Sequence, residues 1–290
     1  MTAPVVHVLG CGRAARSVLR WLFEAGQIEI GQVCNRSLES ALDAVEFLGG
    51  GRPVEQLDHD ITAGWLLLGL PDGALDAVAR GLACRMPGQP ELAFHLSGSV
   101  SSAVLACLSA PVVAVHPVRA FSDPTRAVVE LPGTWFVGEG DASGRKSLER
   151  MIVQAGGRWL TLPGERKALY HAATVAASNY LVTLTRLARM LADEAGLEAD
   201  SAQQLLAHLQ RSTLGALEVL GPAQALTGPI ERGDVEACER LLKAVDAADP
   251  EAATLFRALG LSTLDLALEK RGPRPTDQSL RRLLSPGSLS

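Results

Sequence analysis

Val5-Val6-His7-Val8-Leu9-Gly10-Cys11-Gly12-Arg13-Ala14-Ala15-Arg16 carries more structural information than any other segment of this chain. An apolar, β-branched run breaks at two glycines and passes directly into a helical pattern, which is how a dinucleotide-binding fold begins. Gly10 permits a tight strand-to-helix turn and Gly12 lets a pyrophosphate approach the backbone. The helix that follows offers unpaired N–H groups and the positive end of its dipole. Ala15 stands where a third glycine often lies. Gly10, Cys11, Gly12, Arg13 and Ala14 are therefore the expected phosphate-binding residues. Two glycines at this spacing also occur in ordinary turns, so the strand before them and the helix after them give the motif its weight.

The end of the second strand decides which nucleotide fits. An acidic side chain about 20 residues beyond the glycines would accept the ribose hydroxyls of NAD. Here the chain reads Cys34-Asn35-Arg36-Ser37, with no carboxylate to repel a 2′-phosphate. Arg36 supplies a permanently charged planar fork, and Asn35 and Ser37 stand beside it. NADP (NADPH) is the expected cofactor. In the alternative reading Asn35 and Ser37 merely cap the next helix and Arg36 is a solvated charge.

Apolar runs of strand length alternate with helical periods through the first half: 4–9, 28–34, 65–70, 91–96 and 111–116 read as strands, and 13–25, 38–48, 73–82 and 101–109 as helices. A strand at 133–138, a helix at 142–156 and a short closing strand at 158–162 complete the pattern, up to Pro163-Gly164. Near-continuous apolar strands separated by helices imply an α/β, Rossmann-type, mostly parallel doubly wound sheet, with its ligands at the carboxyl ends of the strands. Beyond this point Ala and Leu dominate with almost no strand signal, giving helices near 165–195, 201–219, 234–246 and 250–269 with a break at Gly221-Pro222. The expected organisation is a nucleotide domain over 1–163, an all-α C-terminal substrate and dimerisation domain over 164–270, and a flexible Pro-, Ser- and Arg-rich tail over 271–290.

Composition narrows the function classes. A net charge of −5 and the absence of an early basic run argue against a nucleic-acid partner. Cys11, Cys34, Cys84, Cys107 and Cys238 are scattered with no C-x-x-C pair, which argues against a disulfide framework and against a metal site. No apolar run reaches the roughly 20 residues of a membrane span, and a strand begins where a signal peptide would lie, so a cytoplasmic location is expected.

Loops at the strand ends hold the polar chemistry. Leu70, Pro71 and Asp72 follow one strand and Ser97, Gly98 and Ser99 another; Asp72 and Ser99 could equally cap the helices that follow. His116 ends the next strand, at the mouth of the cleft, where an imidazole serves as general acid or base. On the 165–195 helix, Lys167, His171, Thr174, Ser178 and Thr185 share one stripe at about 100° per residue, with Asn179 beside it. A polar stripe on an otherwise apolar helix favours a cleft lining over an exposed edge. His7 and His95, inside strands, are expected in the core, while His59 and His208 receive no role.

His116-Pro117 followed by Phe121 and Asp123-Pro124, the run Lys167, Tyr170, His171, Ser178-Asn179-Tyr180, and Leu226 to Ile230 followed by Arg232-Gly233-Asp234 together resemble a Rossmann-like family of the domain-of-unknown-function type. Its members look like NADP oxidoreductases with a helical C-terminal domain, related to pyrroline-5-carboxylate reductase, ketopantoate reductase and the β-hydroxyacid dehydrogenases. The resemblance implies a homodimer through the helical domain. Lys167 matches the catalytic Lys of the β-hydroxyacid dehydrogenases, but His171 occupies the place of the Asn four residues later. Ser99-Val100 and His116-Pro117 also resemble prephenate dehydrogenase, with Arg119 near enough in sequence to bind one acid group.

The leading expectation is an NADP-dependent oxidoreductase moving a hydride to or from a small polar metabolite with a C–O or C=N centre. His116 or His171 donates the proton, Lys167 polarises the substrate oxygen, and Asn179 with Ser99 orients it. The competing expectation is a catalytically silent NADP-binding sensor whose helical domain docks a partner. Prephenate-dehydrogenase-like chemistry and F420-dependent chemistry, implied only by the relatives, stand behind both.

Overall fold

The computed structural model describes residues 3–58, 61, 63–86 and 88–285; His59 and residues 286–290 of the expected tail lie outside them. The strands are β1 (Val5–Leu9), β2 (Glu29–Cys34), β3 (Arg52–Val54), β4 (Trp65–Leu68), β5 (Leu92–His95), β6 (Val112–Pro117), β7 (Trp135–Gly140) and β8 (Arg158–Thr161). They form one sheet in the order β3-β2-β1-β4-β5-β6-β7-β8, parallel throughout except between β6 and β7. This is the doubly wound, mostly parallel arrangement read from the sequence.

Alternation along each strand feeds two cores. Val6, Val8, Leu67, Phe94, Val113 and Phe136 pack against α1 (Arg13–Glu24), α2 (Leu38–Leu48) and α5 (Ala142–Gln154). Leu66, Leu68, Ala93 and Val112 pack on the opposite face, against α3 (Leu75–Ala83) and a 3-10 helix at Ser102–Leu108. Trp21 of α1 stacks on Phe136 with ring centroids 5.6 Å apart.

Three local differences from the sequence reading have identifiable causes. The 101–109 segment is a 3-10 helix, ended by Ser109 in the left-handed region at φ 53°. The short β3 contains Pro53, which an edge strand tolerates, so no apolar run announced it. Helix α4 (Pro124–Glu130) starts with Asp123, whose carboxylate accepts from Thr125 N and Arg126 N, and with proline at the first helical position.

The chain divides into two compact units, Met1–Ser178 and Asn179–Ser290. The expected boundary at Pro163-Gly164 is thus displaced, because the 165–195 helix is not continuous. It is α6 (Lys167–Ala177) and α7 (Asn179–Glu194), separated by Ser178 at φ −119°, ψ −67°. Ser and Asn side chains compete for nearby backbone groups and favour helix ends over interiors. Helix α6 therefore belongs to the sheet unit.

The second unit contains α7, α8 (Ala199–Ala225), α9 (Pro229–Arg232), α10 (Val235–Ala248), α11 (Pro250–Arg271) and α12 (Asp277–Leu284). The expected break at Gly221-Pro222 is one non-helical residue, Gly221 at φ 73°, inside α8. The flexible tail is overturned over its described part. Leu280 and Leu284 of α12 are buried with Cys238, Leu242 and Leu264, and Asp277 pairs with Arg271 at 2.7 Å while accepting from Arg274 N at 2.6 Å. The Pro- and Gly-rich approach to this short helix concealed it. Among the described residues no helix is long and apolar enough to cross a membrane.

The Asp277–Arg271 pair gives a stability prediction. The guanidinium and the Arg274 N–H hold the Asp277 carboxyl below the usual carboxylate range. Its contribution is therefore complete above the unfolded value of about 3.9 and disappears as the pH falls through the lower folded value. Asp277→Ala leaves a buried cation unpaired and should cost about 3 kcal/mol in urea unfolding at neutral pH; an unchanged midpoint would remove the pair from the forces that hold α12.

Candidate functional site

The glycine turn at the carboxyl end of β1 depends on the absence of side chains. Gly10 has φ +83°, and a Cβ there would meet Leu70 Cδ2 at 2.6 Å and the Gly69 carbonyl oxygen at 2.9 Å. Gly69 is equally constrained, since its Cβ would lie 2.1 Å from the Gly10 carbonyl oxygen. The two turns thus nest backbone against backbone. Sequence reading missed Gly69, although a glycine directly after Leu66-Leu67-Leu68 was the available signal.

Asn35 fastens this turn to the end of β2. Its Oδ1 accepts from Cys11 N at 2.7 Å and its Nδ2 donates to Ser40 O at 2.8 Å. The Cys11 N–H is therefore already engaged, which corrects its expected place among phosphate donors. Burial pushes the Cys11 thiol up to about 12. Ser37 caps α2 by accepting from Ser40 N at 3.2 Å, as the alternative reading had it. Arg36 is exposed with no side-chain partner among the described residues.

A groove of about 570 Å³ runs over this turn, lined by Gly10, Gly12, Asn35, Arg36, Leu70 and Pro71 among others. Helix α1 opens onto it with Gly12 at its N-cap, no side-chain cap and no acidic residue in its first turn. Such a terminus attracts anions. The residues fit a dinucleotide phosphate: a turn with glycine at 10 and 12, an open helix end and an unpaired guanidinium.

A second cluster forms where β5 and β6 end. Lys167 is buried at 2 % exposure and donates to the Ser97 carbonyl oxygen at 2.5 Å. This bond brings the first turns of α6 onto the Ser97-Gly98-Ser99 loop. A Cβ on Gly98 would sit 2.3 Å from His171 Nδ1 and 3.0 Å from His116 Nε2, so only glycine lets both imidazoles close over the loop. The two rings lie edge to face, 5.5 Å apart, and the Tyr170 hydroxyl is 2.7 Å from His116 Nδ1. Ser99 Oγ donates to Asp72 at 2.5 Å, and Ser97 Oγ accepts from Ser99 N and Val100 N, so neither Asp72 nor Ser99 caps a helix with its side chain.

Burial is the largest influence on the titrating groups of the cluster. Burial, then Lys167 and His171, lower His116 to about 4, leaving it neutral. Burial raises Tyr170 to about 12. Burial also lowers Lys167 to about 8, opposed by Glu139 and Asp72. Glu139 escaped sequence reading despite being a carboxylate inside an apolar strand; it is buried and accepts from Ser102 N and Ser102 Oγ at 2.6 and 2.9 Å. His95, fully buried, accepts from Ser97 N at 3.2 Å and so supports the same loop.

Several expected residues stand elsewhere. Asn179 is exposed at the start of α7 in the second unit. Thr185, also in that unit, accepts from Gln210 Nε2 at 2.7 Å, so the polar stripe reduces to Lys167, His171 and Thr174. Arg119 pairs with Glu130, also donating to its carbonyl at 2.8 Å, and is not the free acid-binding group considered above. Arg13 is exposed and Ala14 half-buried in the first turn of α1. Among the described residues no group of three or more His, Cys, Asp or Glu could hold a metal ion.

Lys167 yields a pH prediction. With its folded value near 8, the native chain binds fewer protons than the unfolded chain between about pH 8 and the free-lysine value. The cost of burial is therefore complete below pH 8 and fades as the pH rises. Comparing Lys167→Met with wild type in urea unfolding, the stability difference should shift towards the wild type by on the order of 3 kcal/mol from neutral pH to about 10.5. A difference independent of pH would mean that no buried ammonium is present.

Comparisons with known proteins place these features. Residues 134–263 match the family model described as a domain of unknown function, DUF2520. No curated protein sequence matches the chain. Among solved structures, a candidate NADP oxidoreductase, BF3122 of Bacteroides fragilis, is similar at TM-score 0.74 with 22% identity, over 91% of this chain and 99% of its own. Protein TM1727 of Thermotoga maritima is similar at TM-score 0.71 with 23% identity, over 92% and 99%. A pyrroline-5-carboxylate reductase of Coxiella burnetii is similar at TM-score 0.58 with 18% identity, over 97% and 99%. The chain thus carries a DUF2520 match that includes Lys167, Tyr170 and His171, within a Rossmann-like fold followed by a C-terminal helical region.

Proposed function

We propose that this protein is an NADP-dependent oxidoreductase that transfers a hydride between the nicotinamide and a small polar metabolite with a C–O or C=N centre. One observation carries the reading: the phosphate-fitting groove and the His116–His171–Lys167 cluster lie along the same carboxyl edge of one sheet. Asp72, after β4, joins Ser99, after β5, and so links the loops between them. The similarity to a candidate NADP oxidoreductase and to a pyrroline-5-carboxylate reductase supports it.

The bound cofactor would supply the hydride, and the chain supplies the rest. Gly12, Arg13 and Ala14 would present N–H groups to the pyrophosphate, and Arg36 would form charge-assisted bonds with the 2′-phosphate. Leu70, Pro71, Ser97 and Gly98 would border the nicotinamide half. Lys167 holds a positive charge beside the reacting oxygen or nitrogen, His116 and His171 offer hydrogen bonds, and Ser99 would orient the substrate.

The helical unit is proposed to pair with a second copy. Tyr180, Val182, Leu205, Leu209 and Val219 are 55–81% exposed on α7 and α8, more apolar surface than a lone unit normally shows to water.

Calorimetric titration with NADPH and NADH tests the cofactor assignment. Wild type should prefer NADPH, and Arg36→Asp should weaken NADPH by about 1–3 kcal/mol while leaving NADH nearly unchanged. Equal losses for both nucleotides would overturn the 2′-phosphate role, and binding of neither would overturn the reading.

A further inference from the structure

Tyr170 entered the sequence reading without a role, yet its hydroxyl lies 2.7 Å from Nδ1 of the imidazole that ends β6. Two arrangements fit that distance. Either the phenol donates to Nδ1, or Nδ1–H donates to the phenol oxygen. A phenol is the stronger acid and an imidazole nitrogen the stronger base, so O–H to N is the stronger bond. Among the described residues Nδ1 is also the only acceptor within reach of the Tyr170 hydroxyl.

The other ring nitrogen faces a different environment. His116 Nε2 lies over Gly98, close enough that a Cβ there would approach it to 3.0 Å, and no described residue accepts a hydrogen bond from it. The neighbouring ring does not compete for the same partner, because Thr174 Oγ1 lies 3.2 Å from His171 Nδ1. Thr174 already donates its proton to the His171 carbonyl oxygen at 2.8 Å, so in that contact it is the acceptor.

We propose that Tyr170 is a positioning residue that donates its phenolic proton to His116 Nδ1, fixing His116 as the Nε2–H tautomer and making it a hydrogen-bond donor over Gly98 for an uncharged acceptor, a carbonyl oxygen or a neutral imine nitrogen. This deepens, and rests on, the reading of the site given above. It also accounts for a proton donor that is a neutral imidazole near pH 7. Once the hydride has added to the substrate carbon, the anionic oxygen or nitrogen takes the Nε2 proton and forms a new O–H or N–H bond. The Tyr170 O–H bond breaks as Nδ1–H forms, and the phenolate recovers a proton from water. No imidazolium is needed at any point. The charged or titratable groups that act on His116 are Lys167, His171 and Asp72.

Long-range proton–nitrogen NMR on nucleotide-free protein with ¹⁵N-labelled histidine reads the tautomer directly, with the His116 signals assigned by their loss in His116→Gln. Wild type should show a protonated Nε2 and an unprotonated Nδ1. In Tyr170→Phe the two nitrogens should move towards each other as the tautomers mix. A wild-type Nδ1–H tautomer, or unchanged nitrogen shifts in Tyr170→Phe, overturns the proposal. NADPH titration of the same samples separates the two inferences: wild type with the stated tautomer but no NADPH affinity keeps the positioning role and overturns the functional reading.

Discussion

A single ammonium-to-carbonyl bond governs the candidate active site. Lys167 leaves water to reach the Ser97 carbonyl oxygen, and this fixes the height of α6 above the ends of β5 and β6. Every other contact in the cluster follows from that height. Tyr170 and His171, one helical turn further on, descend on His116, and Gly98 must lack a side chain because two imidazoles occupy the space. A buried ammonium is costly, so its retention beneath a loop beside the neutral His116 imidazole is more readily explained by chemistry than by stability.

Glu139 and His95 work from beneath the same loops. The carboxylate is occupied by Ser102 and still offsets the lysine charge. His95 accepts from Ser97 N, so the residue whose carbonyl receives Lys167 is held through its amide as well. Both ends of one peptide segment are thereby anchored, which is the rigidity that a site for a small polar molecule requires.

The sheet was legible because its signals are local: strand-length apolar runs, the Gly10–Gly12 turn and the 3.6-residue period of the helices. The groove over the glycine turn lies where the strand-end motifs led, since many of its lining residues cluster in them. What stayed hidden depends on distant pairs. Gly69 matters only because Gly10 lies against it, Glu139 only because Ser102 and Lys167 surround it, and Tyr170 only because α6 stops at Ser178 and stays with the sheet. The continuous 165–195 helix was a reasonable inference from periodicity, but two residues with capping propensity at its centre outweighed the pattern. The C-terminal helix was missed for the opposite reason, as a turn-rich approach disguised eight residues that bury two leucines.

The buried thiol in the glycine turn has a consequence for how the protein ages. Peroxides and electrophiles attack thiolates, and a cysteine at the start of a helix ordinarily ionises readily. Cys11 occupies such a place, yet it is only 4% exposed and holds its proton to about 12. The turn on which nucleotide binding would depend is therefore chemically inert, and oxidative damage to this chain should begin elsewhere.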